Sequence, residues 1–163
     1  MSQRPYVVRT WAPCGQTPII RHPGGWKKLS AAAGVTRRGF YFRLYAGSIK
    51  APQLLHFLRH LGRQIRGPIR LVWDRLGVHR SRAVREWLAA QGGRWLVEEL
   101  PAYAPELNPV EYLWGWWKPN TVGNACARTE EELHWLARQG LRAAQRRKTT
   151  LVTAFWKQAD LSF

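Results

Sequence analysis

Ile69-Arg70-Leu71-Val72-Trp73-Asp74, an apolar run that ends on a carboxylate, decides how the chain is put together. Upstream of it, Leu54, Leu55, Leu58, Leu61 and Ile65 recur at helical spacing behind Pro52, a residue suited to a first helical turn, and Gly67-Pro68 stops the run. Downstream, Ser81 is placed to cap a helix carrying Val84, Trp87 and Leu88. Gly92-Gly93 ends that helix, and Trp95 to Leu100 reads as the next strand. Strand, helix, strand makes a parallel βαβ unit with Asp74 at the carboxyl end of its first strand. Open α/β sheets place their sites at that edge, so Asp74 is a candidate by position as well as by type.

Outward from this unit the signals change. Tyr6 to Trp11 reads as a strand, followed by a turn-rich connection through Pro13, Gly15 and Pro18 and a further turn at Pro23-Gly24-Gly25. Leu29 to Val35 and Phe40 to Tyr45 are expected to be strands joined by Arg37-Arg38-Gly39 as a hairpin-like link. On the other side, Pro101, Pro105 and Pro109 hold an extended loop. Pro109 suits the start of a helix whose early turn bears Glu111, and the two acids are expected to meet across the sheet edge. Thr129 with Glu132 forms a capping box for a helix bearing Leu133, Leu136, Ala137 and Leu141, and Leu151 to Trp156 reads as a short helix. A length of 163 residues without internal repeats fits a single α/β domain, 1–163.

The charge balance points to a partner. The chain has 26 Lys plus Arg against 10 Asp plus Glu, a formal charge of +16, which favours a polyanion and above all nucleic acid. Half of these cations, Arg4 through Arg70, lie in the first 73 residues, where no Asp or Glu occurs, so that half is a candidate phosphate-backbone surface. An Arg-rich proteome that solvates its surfaces would leave a similar mark. Cys14 and Cys126 stand alone, without the spacing of a zinc ribbon or a disulfide framework, and suit a reducing cytoplasm. No apolar leader follows Met1, and no apolar run approaches the roughly 20 residues that span a bilayer. A basic RNA-binding protein of ribosomal type accounts for the charge but not for the pairing of Asp74 with Glu111. A paired-carboxylate glycosidase conflicts with the charge, which does not suit a neutral sugar.

Three blocks carry a resemblance. They are Trp11-Ala12-Pro13-Cys14-Gly15-Gln16-Thr17-Pro18, then Leu71-Val72-Trp73-Asp74 with His79, and then Leu100-Pro101-Ala102-Tyr103-Ala104-Pro105-Glu106-Leu107-Asn108-Pro109-Val110-Glu111 with Trp114. On these the chain is similar to the DDE catalytic domain of mariner-like transposases from bacterial insertion sequences, from about Arg4 to Lys118 and more weakly beyond. The resemblance implies a ribonuclease-H-like fold, a mixed sheet flanked by helices; since the sequence contains no helix-turn-helix segment upstream of the catalytic part, no separate DNA-recognition domain is expected. It makes Asp74 the second catalytic carboxylate and Glu111 the third, both metal ligands, with 36 residues between them. Two Mg²⁺ ions, or Mn²⁺ in their place, roughly 3.5 to 4 Å apart would activate a water or a 3′-hydroxyl and stabilise the leaving oxygen at a DNA phosphate. The family's first Asp sits on the opening strand of the fold. No acid in residues 1–73 can replace it, so the domain is expected to be N-terminally truncated, its opening strand missing. Arg75 stands where Asn is common, Cys14 where a basic residue is usual and Ala104 where Ser is usual. Of these, Arg75 is expected to compete with Mg²⁺ for the Asp74 carboxylate.

The remaining candidates each have a plainer role beside the functional one. His79 can support the site or touch substrate, or it is a hydrogen-bonding loop group. Asn108 is expected to turn or cap the chain so as to position Glu111. Arg75, Arg80, Trp114 and Lys118 are possible DNA contacts, although tryptophans mostly fill cores. Asp74 and Glu111, taken alone, would be a turn acid and a first-turn helix acid. The expected function is metal-dependent DNA strand cleavage and strand transfer in transposition, incomplete in this polypeptide by itself. The alternative is a non-catalytic DNA-binding remnant or an inhibitory partner of an intact transposase. Expected partners are transposon-end and target DNA and a second copy or a full-length transposase, with no membrane, in a bacterial cytoplasm beside the nucleoid.

Overall fold

Arg37 and Arg38 turn the chain between β1 (Leu29–Thr36) and β2 (Gly39–Ala46), an antiparallel hairpin in the register Leu29↔Ala46 to Thr36↔Gly39. The Thr36 hydroxyl donates to the Gly39 carbonyl at 2.9 Å and tightens this turn. The computed structural model, which describes residues 6–21 and 28–160, continues into α1 (Ala51–Gln64), β3 (Ile69–Trp73), α2 (Arg82–Ala89) and β4 (Trp95–Glu99). After a single 3₁₀ turn (Pro105–Leu107) come α3 (Pro109–Trp117), a π turn (Lys118–Val122), α4 (Glu130–Arg146) and α5 (Lys148–Gln158).

Strands β3 and β4 are parallel, Ile69 opposite Trp95 and Trp73 opposite Glu99, as the strand–helix–strand reading requires. Gly92 and Gly93 make the sharp exit from α2 because both adopt positive φ, 60° and 76°, a region that other residues enter at a cost. The Arg94 guanidinium closes the far end of the unit. It donates to the carbonyls of Gly62 and Ile65 through Nη2 (2.7 and 2.5 Å) and of Gly67 through Nε (3.1 Å), so the end of α1 and the approach to β3 share one cation.

Helix α1 packs against both strand pairs. Its buried stripe, Leu54, Phe57, Leu58 and Leu61, packs with Ile69, Trp73, Val84 and Trp95, and Ala32 and Tyr41 of the hairpin lean on the same cluster. The opposite face of the hairpin, with Leu29 and Phe40, is covered by Leu113 and Trp117 of α3, Leu133, Ala137 and Leu141 of α4, and Val152 and Phe155 of α5. Among the described residues the β3–β4 pair is covered on one face only. Val72 and Leu96 on the other face are 48% and 52% exposed, and Arg70 and Glu98 pair there at 3.4 Å.

Several expectations are corrected. One mixed sheet was expected; among the described residues the strands form two separate pairs, and β1 and β3 each have a neighbour on one edge only. Tyr6 to Trp11 is not a strand. Tyr6 makes a lone parallel bridge to Gly123, and Val8 has its N–H and carbonyl taken by the Asn124 side chain (3.0 Å each), which stands in for a neighbouring strand. Ser81 does precede α2, but its hydroxyl makes no cap bond and is buried without a partner. The Thr129 hydroxyl accepts from Glu132 N–H at 3.1 Å as the capping box predicts, while the Glu132 carboxylate reaches back to Arg128 N–H at 2.7 Å instead of to Thr129. The last helix is longer than the expected Leu151 to Trp156. The expected turn at Pro23-Gly24-Gly25 lies outside the described residues.

Candidate active site

Asp74 leaves β3 just as Trp73 O accepts from Leu100 N–H at 2.8 Å, so the carboxylate emerges at the carboxyl edge of the parallel pair. Its Oδ1 accepts the N–H of Leu76 at 3.1 Å. The chain then winds through a tight turn, with His79 N–H on Leu76 O at 2.9 Å and Arg80 N–H on Gly77 O at 3.2 Å, which returns His79 to the strand end. His79 Nδ1 lies 2.9 Å from the Asp74 carbonyl and 3.0 Å from Oδ1. Both partners are acceptors, so Nδ1 carries a proton and donates. The ring is stacked on Trp73, centroids 4.3 Å apart and planes 1° from parallel, and only 15% of the side chain is exposed. Asp74 is thus anchored through one oxygen while its side chain stays 51% exposed.

The neighbouring cations face a different acid. Arg75 Nε lies 3.3 Å from Glu99 Oε2, Arg80 Nε 3.8 Å from Glu99 Oε1, and Arg80 Nη2 donates to Arg75 O at 3.2 Å. The expected competition of Arg75 for Asp74 is therefore not what the geometry shows. Glu99, opposite Trp73 on β4, takes that cation, and this residue was not singled out from the sequence. Its signal was present in the parallel register, which sets the end of one strand beside the end of the other.

Glu111 is positioned from the helix it begins. Asn108 caps α3, its Oδ1 accepting from Val110 N–H at 3.2 Å and its carbonyl from Glu111 N–H at 2.9 Å. Pro109 supplies a fixed φ at the first helical position, where the missing N–H costs nothing. Buried Leu113 and Trp117 lock the inner face, which leaves Glu111 and Lys118 exposed, seven positions apart. The Tyr112 hydroxyl lies 3.0 and 2.8 Å from the carbonyls of Glu106 and Gln158 and ties the preceding loop to α5. Trp114 packs against the core and stands edge-on to Trp117, centroids 5.7 Å apart. Tyr103, in the loop between β4 and α3, is an exposed ring, held at φ 57° and open to solvent. Nothing in its sequence surroundings separates it from the loop's other residues.

No hydrogen bond or ion pair joins Asp74 to Glu111, and among the described residues no three His, Cys, Asp or Glu side chains gather as a metal cage. What the edge does offer is carboxylate oxygen, the donor that Mg²⁺ and Mn²⁺ prefer. Among the described residues no helix is long and apolar enough to cross a membrane.

Comparison with known proteins agrees with the architecture. No curated protein matches the chain. Among solved structures it is similar to the Mos1 strand transfer complex (TM-score 0.60, 20% identity, 93% of this chain and 50% of that one). It is equally similar to the Mos1 mariner paired end complex with Mn (0.60, 20%, 93% and 51%). The catalytic domain of Mos1 mariner transposase gives 0.56 at 18% identity, over 85% of this chain and 78% of that one. The chain spans about half the length of the first two, and at these identities the likeness is one of fold, ribonuclease-H-like. The family model described as DDE superfamily endonuclease matches residues 1–134, and the chain belongs to that superfamily.

Proposed function

We propose that the carboxyl edge of β3 and the first turn of α3 form part of a metal-dependent centre for DNA strand cleavage and transfer in transposition, with Asp74 and Glu111 as its metal-holding carboxylates. The observation that carries this reading is the anchoring of Asp74. A half-exposed acid at a strand end, clamped by Leu76 N–H and by a histidine stacked on a buried tryptophan, is built to be held still. Mg²⁺ or Mn²⁺ bound there supplies Lewis-acid activation of a hydroxyl and charge neutralisation at a phosphate. The chain's own residues do the rest. Asn108 orients Glu111, His79 orients Asp74, and Lys118 is placed to meet a backbone phosphate. Arg80 and Arg75 can do the same from their shared acid. Tyr103, rather than the packed Trp114, presents a ring on which a base can stack.

A third carboxylate is required to bridge two ions, and residues 1–73 hold none. We assign it to a strand outside these 163 residues, entering beside β1 or β3, whose outer edges are unpaired among the described residues while both pack on α1. Without it the domain binds DNA and does not cut.

The test uses Fe²⁺ as a stand-in ion. With ascorbate and hydrogen peroxide added, hydroxyl radicals made at a bound iron cut the nearby protein backbone, so scission is expected next to residues 74 and 111, and lost in Asp74→Ala and Glu111→Ala. Duplex binding should be kept or tightened in both variants, since each removes a negative charge. Scission that survives both substitutions, or that never occurs near either position, overturns the assignment. In any active form, Mg²⁺-dependent plasmid nicking must vanish in the same two variants.

A further inference from the structure

Helix α1 has two faces of opposite character. Leu54, Phe57, Leu58 and Leu61 are buried beneath it, while its exposed positions are Pro52, His56, Arg59, Arg63 and Gln64. His56, Arg59, His60 and Arg63 are spaced three and four apart, so each lies against the next on the helix surface. Strand β2 adds to the same surface. Arg43 Nη2 donates to His60 Nδ1 at 3.2 Å, and the Tyr45 hydroxyl lies 3.1 Å from His56 Nδ1. The Tyr41 and Tyr45 rings stand edge-on to His60 and His56, 6.4 and 5.8 Å between centroids.

Among the described residues no ion pair joins Arg43, Arg59 or Arg63 to an acid. The chain has no acid before Asp74, α1 has none in its first turn, and Lys50 sits at its N-cap, where the helix dipole favours the opposite sign. Acids do occur on other helices, although α2 and α5, like α1, have none in the first turn. Glu130, Glu131 and Glu132 open α4, and Glu86 pairs with Arg82 at 2.7 Å on α2. A polyanion would relieve the repulsion among the cations of this surface.

We propose that the α1–β2 seam of Arg43, Tyr45, His56, Arg59, His60 and Arg63 is a docking surface for the sugar-phosphate backbone of duplex DNA, separate from the carboxylate edge. The proposal rests on the reading that the protein acts on DNA. Separation follows from the packing, since the buried stripe of α1 faces Ile69 and Trp73 of β3 while the seam is on its far side. The dimensions match. Residues 56 to 63 advance about 10 Å along the helix axis at 1.5 Å each, and one DNA strand presents about three phosphates over that length. Arg43, Arg59 and Arg63 supply three permanent cations. His60, accepting from Arg43 at Nδ1, has its proton on Nε2 as a further donor. An anionic membrane fits less well, because the exposed positions of α1 include no large apolar side chain to insert.

The experiment measures binding of a fluorescent duplex by the full chain across a salt series. The Arg43→Gln/Arg59→Gln/Arg63→Gln variant should flatten the slope of log K against log salt by about 2 to 3, with at least a tenfold loss of affinity. The matched control, Arg138→Gln/Arg142→Gln/Arg146→Gln on α4, removes the same charge and should change the slope by less than one. An Arg43→Lys/Arg59→Lys/Arg63→Lys variant, which keeps the charges, should bind nearly as the parent does and guards against misfolding. Equal losses in the seam and control variants overturn the proposal. So does seam-dependent binding to phosphatidylserine vesicles with duplex binding unaffected. Seam-dependent duplex binding without iron scission at residues 74 and 111 would leave the seam standing and remove the metal centre; the converse would remove the seam alone.

Discussion

His79→Ala separates holding Asp74 from merely placing it. The histidine makes two contributions that can be weighed. Its Nδ1–H reaches the Asp74 carbonyl and Oδ1 at 2.9 and 3.0 Å. A hydrogen bond to a charged acceptor contributes about 1.5 to 3 kcal/mol when shielded, but the carboxylate is 51% exposed and water competes, so about 1 kcal/mol is the appropriate figure. The parallel stack on Trp73 adds about 1 kcal/mol. Removing both costs about 2 kcal/mol, which in a domain of this size lowers Tm by about 4 to 8 °C. Near-ultraviolet circular dichroism on heating reads the stability, and calorimetric titration with Mn²⁺ reads the site. Two further variants split the terms. His79→Phe keeps a ring on Trp73 and loses the donor, so it should preserve Tm better than Mn²⁺ affinity. His79→Asn keeps an N–H donor and loses the stack, so it should do the reverse. If His79→Ala leaves both quantities unchanged, or if Phe restores Mn²⁺ binding as fully as Asn does, the anchoring role is wrong.

Three other perturbations test the frame around the site. A Cβ on Gly140 would sit 2.6 Å from Thr121 Cβ and nearer still to Thr121 Oγ1 and Cγ2, so Gly140→Ala should destabilise by about 1 to 2 kcal/mol despite its better helix propensity. Added Thr121→Gly should recover most of that loss in urea unfolding, and a pair of independent effects would refute the contact. Arg94→Met strips three carbonyls of their donor and should lower the unfolding free energy by about 2 to 4 kcal/mol; Arg94→Lys, lacking the planar fork, should recover less than half. Burial first, then the charges of Arg43, His56 and Arg63, hold the His60 pKa below its ordinary value. The unfolded chain therefore takes up this proton more readily, and stability should fall as pH drops below about 6.5 towards the folded-state value. The urea midpoint measured from about pH 7.5 to about pH 5 should fall less in His60→Gln; an equal fall would reject this source of acid sensitivity.

How much could be read in advance depends on how far each feature reaches along the chain. The βαβ unit, the hairpin about Arg37 and Arg38, the exit at Gly92-Gly93 and the Asn108-Pro109 start of α3 are set within a few residues, and all four are where the sequence places them. Tyr6 to Trp11 failed because extended backbone becomes a strand only if a neighbour accepts its bonds, and here the neighbour is one asparagine side chain 116 positions away. The single sheet failed for the same reason, since nothing in β1 or β3 records which strand, if any, lies beside its outer edge.

The site divides along the same line. That Asp74 and Glu111 stand at element termini follows from local signals, and a carboxylate at a terminus is free to project because its backbone has just left the ladder or just entered the helix. What Asp74 is bonded to depends on a turn that brings residue 79 back onto residue 73, and what Arg75 faces depends on the register of β3 against β4. A cation beside a carboxylate in sequence is thus no measure of its pairing with that carboxylate. Trp73 points into the core and Asp74 leaves the strand, and the partner strand supplies Glu99 to hold Arg75. The Arg75 cation is therefore paired within the edge itself. An Arg–Glu pair stands where a neutral amide is common, so Glu99→Gln should free the cation and weaken Mn²⁺ binding at Asp74, while Arg75→Asn alone should leave that binding close to the parent value. Equal Mn²⁺ affinities for the parent and Glu99→Gln would show that the pair does nothing to protect the carboxylate.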